Sequence, residues 1–166
     1  SPAPDNTATT TYTFTPNAGQ CALTAAMTIT VNPNVTPTFS SVAPVCSGAA
    51  LSALPTTSNN GYSGVWSPAL NNTATTTYTF TPSAGQCATT TTLGITVNPN
   101  VTPTFTAVAP ICSGDVLSPL PLTSNNGITG NWSPALDNTA TTTYTFAPSG
   151  GQCALPATLN IDVTPK

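Results

Sequence analysis

The sequence predicts an all-β chain built from tandem small sandwiches. Three observations carry that reading. One stretch occurs three times: Asn6–Cys21 reads NTATTTYTFTPNAGQC, Asn72–Cys87 reads NTATTTYTFTPSAGQC and Asn138–Cys153 reads NTATTTYTFAPSGGQC, at a constant offset of 66 residues. Within it Tyr78 and Phe80 alternate with Thr77, Thr79 and Thr81, the period-2 mark of a strand with one apolar and one hydroxyl face. Nowhere does an apolar pattern of period 3.6 appear, so essentially no helix is expected.

The repeat divides the chain into the back half of a unit (residues 1–34) and two full units (35–100 and 101–166). Because residue 1 falls mid-unit, the chain is expected to be a piece of a longer or processed protein. Each joint reads V-N-P-N-V-T-P-T-F, at Val31–Phe39 and Val97–Phe105. Its prolines fix φ and favour extended backbone, so the joint reads as a stiff connector.

Taking residues 35–100 in order, Thr36–Val42 is a first edge strand, where Pro37 is tolerated. Cys46–Leu54 is a second, with Leu51 and Leu54 inward. Asn59-Asn60-Gly61 is a turn, Asn-Gly being the strongest short hairpin signal. Tyr62–Ser67 is a third strand and carries Trp66. Pro68–Thr73 is a loop, Thr75–Pro82 the repeated Thr/Tyr/Phe strand, and Ser83–Gln86 a turn. Ala88–Val97 is the last strand, with Leu93, Ile95 and Val97 on one face.

The five cysteines form two classes. Cys46 and Cys112 sit in A-P-[VI]-C-S-G; Cys21, Cys87 and Cys153 sit in G-Q-C-A. The expectation is one disulfide per repeat, Cys46 with Cys87 and Cys112 with Cys153. Cys21 would then lack a partner in the missing front of its unit. The alternative crosses the unit joints, Cys21 with Cys46 and Cys87 with Cys112. Either implies an oxidising, extracytoplasmic setting. Metal binding is the weaker reading, without CxxC spacing or histidine. Short strands, turn signals, a Trp strand and a disulfide together point to a sandwich of immunoglobulin type. A 66-residue unit is marginal alone and gains from a disulfide and from its neighbours.

Charge is nearly absent: one Lys, four Asp, no Arg, no His. Phosphate neutralisation and attraction to anionic lipid both need basic residues, so nucleic-acid partners and membrane attachment are not expected. No apolar run approaches a membrane span. Serine or cysteine catalysis of the His-activated kind is excluded by the lack of His. Paired carboxylates are absent from residues 35–100. No enzyme activity and no cofactor are expected. A near-neutral, Thr-rich β surface favours self-association or contact with neighbouring repeats, which suits a fibre.

The pattern C-S-G…L-P-T-T-S-N-N-G…W-S-P-A-L…T-T-T-Y-T-F-T-P…G-Q-C…I-T-V resembles the immunoglobulin-like tandem repeats of giant Bacteroidota surface proteins, of the gliding-motility-associated or adhesin-like kind exported by type IX secretion. The resemblance covers all 166 residues. It implies cell-surface or extracellular placement and a structural or adhesive role, and brings no ligand.

Trp66 and Trp132 read as core residues of the third strand, with sugar stacking as the alternative. Tyr78 and Tyr144 read as inward-facing. The outward threonines, among them Thr77, Thr79, Thr92 and Thr96, read as a solvated face and as possible O-glycosylation sites. A flat hydroxyl lattice for ice or crystalline polysaccharide ranks last. The sequons at Asn34 and Asn100 recur at the joints as weaker N-linked candidates. Asp137 in place of Asn71, and Asp115 in place of Ala49, read as surface drift.

The expected function is therefore a segment of a long extracellular fibre or stalk that extends or presents glycans or an adhesive surface. One alternative is a filament polymerised by strand complementation, another subunit supplying the strands missing before Ser1. The other is a carbohydrate-binding adhesin module with a polysaccharide or surface target.

Overall fold

The computed structural model describes residues 3–166, and every element among them is a β-strand. In order these are β1 (Thr10–Phe14), β2 (Ala25–Ile29), β3 (Val45–Cys46), β4 (Gly64–Ser67), β5 (Thr76–Pro82), β6 (Thr91–Ile95), β7 (Val97–Asn98), β8 (Ile111–Cys112), β9 (Gly130–Ser133), β10 (Thr142–Pro148), β11 (Ala157–Ile161) and β12 (Val163–Thr164). Two compact units cut across the sequence repeat. One holds the residues up to Ser40 with Leu54–Pro68 and Thr79–Leu93; the other holds Ser41–Ala53, Ala69–Tyr78 and Gly94–Lys166.

The second unit contains the whole third repeat. Strands β11-β10-β9 form an antiparallel sheet, and β12 pairs with β8 in parallel. The Thr/Tyr/Phe alternation of β10 puts Tyr144 and Phe146 on the buried face, fully enclosed with Ile161 and beside Leu120. Val108, Leu117, Trp132 and Leu159 pack on that cluster. Trp132 lies opposite Phe146 in the ladder, and both rings pack against Phe105, at 4.6 and 4.7 Å from its centroid. Gly130 opens β9 because a Cβ there would meet the Ala147 carbonyl and lie 2.6 Å from the Phe146 ring. The strand cannot come this close to β10 with any larger residue.

The first unit repeats the aromatic half of this arrangement. Phe39, Trp66 and Phe80 form the same triad, with centroids 4.6 to 5.1 Å apart. It also contains the β1–β2 hairpin, whose register, Thr10↔Ile29 to Phe14↔Ala25, is the same as Thr142↔Ile161 to Phe146↔Ala157 in β10–β11.

Three expected strands are corrected. Thr36–Val42 is not a strand. Its backbone is held by a side chain: Asn60 Oδ1 accepts from Thr38 N (3.1 Å) and Asn60 Nδ2 donates to the Thr36 carbonyl (3.0 Å). An amide side chain thus stands in for a neighbouring strand. Cys46–Leu54 shrinks to Val45–Cys46, because Gly48 turns the chain at φ +83°. The last strand breaks after Ile95, and the Thr75 hydroxyl fills the gap, donating to the Val97 carbonyl (3.2 Å) and accepting from Val97 N (2.9 Å).

Candidate functional site

The chemically distinctive place in the chain is the joint between the second and third repeats, all of it inside the second compact unit. Strand β7 ends the second repeat, and β3 pairs with it in parallel, Val45↔Val97 and Cys46↔Asn98. Val45 N donates to the Thr96 carbonyl (3.1 Å) and Ser47 N to the Asn98 carbonyl (2.8 Å). Asn100 adds a side-chain bond, Nδ2 to the Ser47 carbonyl at 3.0 Å. Three residues past Asn98 the chain enters the third repeat at Val101. There Val101 N donates to the Cys153 carbonyl (2.8 Å) and Leu155 N to the Val101 carbonyl (2.9 Å).

The joint peptide therefore lies between two cysteine-bearing segments, one from each repeat. A disulfide closes the clamp: Cys46 is bonded to Cys153, with Cα atoms 5.0 Å apart and a sequence separation of 107. Cys153 takes the left-handed conformation, φ 48°, at this junction.

This overturns both expected pairings. Cys87 and Cys112 are free and exposed, as is Cys21. The reason is that the two cysteine classes lie at opposite ends of a unit. In the third repeat Cys153 flanks the entry residue Val101, whereas Cys112 pairs with Thr164 at the exit. The run from Ala157 to Thr164 separates these ends, roughly 20 Å of extended chain, while a disulfide needs Cα atoms within about 7 Å. A unit's exit cysteine therefore meets the entry cysteine of the unit that follows. The step of 107 is the 41-residue spacing within a unit plus one 66-residue repeat.

The other expected site residues are placed as follows. Tyr78 and Tyr144 are fully buried. Each hydroxyl closes a loop seven residues upstream: Tyr78 Oη accepts from Asn71 N (2.9 Å) and Tyr144 Oη from Asp137 N (2.9 Å). Trp66 and Trp132 are half-buried, and their ring N–H groups donate to the Pro55 and Pro121 carbonyls, at 2.8 and 2.9 Å. Thr77, Thr92 and Thr96 are exposed and Thr79 is half-buried. Asn34 and Asn100 are exposed, with the Asn100 amide already engaged across the joint.

Asn71 and Asp137 do the same work. Each accepts from the backbone N and the hydroxyl of the threonine two residues on, at 2.6 to 2.8 Å. These bonds hold the Asp137 carboxyl below its ordinary range, and Asp5 is lowered in the same way by Thr7. The exchange is thus one of equivalent acceptors. Asp115 is lowered chiefly by Lys166, whose ammonium lies 2.9 Å away.

Sequence reasoning missed Asn60, Thr75 and Gln86. Gln86 grips the Ser63 backbone from both sides, Oε1 to N at 2.8 Å and Nε2 to O at 2.9 Å. Recurrence was the available signal: Asn126, Thr141 and Gln152 make the same bonds in the third repeat.

Among the described residues no group of three or more His, Cys, Asp or Glu comes together to hold a metal ion. No helix among the described residues is long and apolar enough to cross a membrane. No family model and no curated protein matches the chain.

Proposed function

We propose that the chain is a load-bearing segment of a long extracellular fibre or surface stalk, made of immunoglobulin-like units joined end to end. The observation that carries this reading is the clamp at the joint, where a peptide and a disulfide connect consecutive repeats in parallel. A covalent bond at a joint serves a chain that is pulled or bent. Tension applied at the ends passes through Cys46–Cys153 and bypasses the 106 residues between them. Those residues would otherwise extend by roughly 350 Å.

The buried tyrosine bonded to backbone upstream, and the Trp strand against the core, are features of immunoglobulin-type sandwiches. The resemblance to Bacteroidota surface repeats and the disulfide both support an oxidising, extracellular location. The exposed threonines Thr77, Thr92 and Thr96 are the places for glycans that would keep an almost uncharged rod in solution. We assign no catalytic role.

Single-molecule stretching tests this reading. Under oxidising conditions the chain should lengthen only outside residues 46–153, and reduction should add roughly 350 Å of contour. The same extension with and without reductant would refute it. The carbohydrate-binding alternative is weaker because Trp132 is packed on Phe105 and Phe146 and its N–H is engaged.

A further inference from the structure

The Asn-Asn-Gly turn does more than reverse the chain. Asn60 closes the second repeat on its own entry segment. Its Oδ1 accepts from Thr38 N (3.1 Å) and from the Ser58 hydroxyl (2.8 Å), and its Nδ2 donates to the Thr36 carbonyl (3.0 Å). Pro37, between the two gripped residues, is fully buried, and Phe39 just beyond packs on Trp66 and Phe80. Asn126 makes the same three bonds, to Thr104, Ser124 and Thr102, around the buried Pro103. One side-chain amide thus latches each full repeat, accepting on its oxygen and donating from its nitrogen.

Asparagine is thermolabile, and most so before glycine, which has no Cβ to obstruct attack by its own nitrogen. Asn60-Gly61 and Asn126-Gly127 are the only Asn-Gly pairs in the sequence. In the fold both reactants of each pair are tied. Gly61 N donates to the Ser58 carbonyl, as Gly127 N does to that of Ser124, each at 3.0 Å. The amide carbon is pinned by the three bonds of the latch. Both asparagines lie at the surface, within reach of water and hydroxide. Hydrogen bonding, not burial, therefore protects them.

We propose that Asn60 and Asn126 are intrinsic modification sites: the closed latch suppresses deamidation, the opened latch undergoes it, and a deamidated repeat no longer holds its entry segment. In the step, Gly61 N gives its proton to hydroxide and attacks Asn60 Cγ. A C–N bond forms, the Cγ–Nδ2 bond breaks, and Nδ2 takes a proton from water and leaves as ammonia. Water then opens the five-membered imide at either carbonyl, giving aspartate or isoaspartate. No oxidant or reductant takes part. Aspartate puts a charged oxygen where Nδ2 stood, against the Thr36 carbonyl. Isoaspartate also adds a methylene to the backbone of the turn. Thr36, Thr38 and Ser58, which bond to Asn60, are uncharged, and residues 35–100 contain no Lys, Arg or His to offset the new charge. The titratable group next to the turn, Tyr62, is neutral below about pH 10. The latch works within one repeat, whether or not the chain bears load.

The test uses the full oxidised chain in mildly alkaline buffer, with and without urea. A peptide mass map should show Asn60 and Asn126 deamidating about tenfold or more slowly in the native state than in urea, as a local opening equilibrium imposes. Chain aged in urea and returned to buffer should fail to regain hydrogen-exchange protection at Thr38 N in proportion to the modified fraction at Asn60. Two variants separate loss of the latch from added charge. Asn60→Asp should lower the protection of Thr38 N by about tenfold or more at pH 7. It should recover most of it below about pH 4, where a protonated carboxyl again offers a donor to the Thr36 carbonyl. Asn59 bonds the Thr38 carbonyl through its backbone N, so Asn59→Asp should leave that protection unchanged. Equal deamidation rates in the native state and in urea would overturn the proposal. So would full protection of Thr38 N in deamidated chain, equal effects of the two variants, or a loss in Asn60→Asp that acid does not relieve.

Discussion

Asn6–Cys21 and Asn138–Cys153 differ at only three positions, Thr15/Ala147, Asn17/Ser149 and Ala18/Gly150, and form hairpins of the same register. Yet Phe146 is fully buried and Phe14 is 65% exposed. The difference is that β9 and Phe105 cover the first and nothing equivalent among the described residues covers the second. Local alternation is therefore enough to make the hairpin, while burial comes from the front half of a unit.

The largest test of that comparison is truncation of the two phenylalanines. Phe146→Ala should destabilise by about 3–5 kcal/mol, the usual cost of emptying a buried aromatic site. Phe14→Ala should change stability by less than about 0.5 kcal/mol, as at ordinary surface positions. Denaturant unfolding of both variants measures this, and equal losses would break the account.

Reduction comes next. The Cys46–Cys153 bond closes a long loop, and its loss should cost roughly 2–4 kcal/mol. Calorimetry with and without reductant should show the loss in the transition of the second compact unit, which holds both cysteines. An unchanged melting profile after full reduction would count against the staple.

Tyrosine hydroxyls sharpen the comparison further. Tyr144→Phe leaves the Asp137 backbone N–H without its buried partner and should cost about 1–2 kcal/mol. Tyr12 makes the same bond to Asp5 N at 2.7 Å but in the open half-unit, so Tyr12→Phe should cost well under half as much.

The smallest effect is that of pH. Asp5, Asp115 and Asp137 all have lowered native pKa values. A lowered carboxyl stabilises the fold above its unfolded value near 4, and that contribution is lost as pH falls through the native value. Thermal stability should thus be flat from about pH 5 to 8 and fall slightly below about pH 4. Repeat 35–100 has no carboxylate side chain and should show no such fall.

How much of this was legible in the sequence differs by feature. The Thr/Tyr/Phe strand, the Asn-Gly turn and the repeat period follow from local rules and are present as read. Thr36–Val42 was misread because its partner is the side chain of Asn60, and no propensity marks a side chain that replaces a strand. The cysteine pairing was misread because sequence spacing does not say at which end of a unit a residue lies. That emerges only once β12 is seen to pair in parallel with β8, which sends Cys112 to the end opposite Cys153. Even the recurring motifs were silent on this, since they repeat equally under any of the pairings.

The staple across the joint is the central claim, and one cleavage tests it directly. Hydroxylamine cuts Asn-Gly bonds, which occur here at Asn60-Gly61 and Asn126-Gly127. With free thiols blocked and no reductant present, cleavage should leave residues 1–60 linked to 127–166 through Cys46–Cys153 and release 61–126 alone. All three pieces held together would mean pairing within units, and three separate pieces would mean Cys21–Cys46 with Cys87–Cys112. Either of those results would contradict the account.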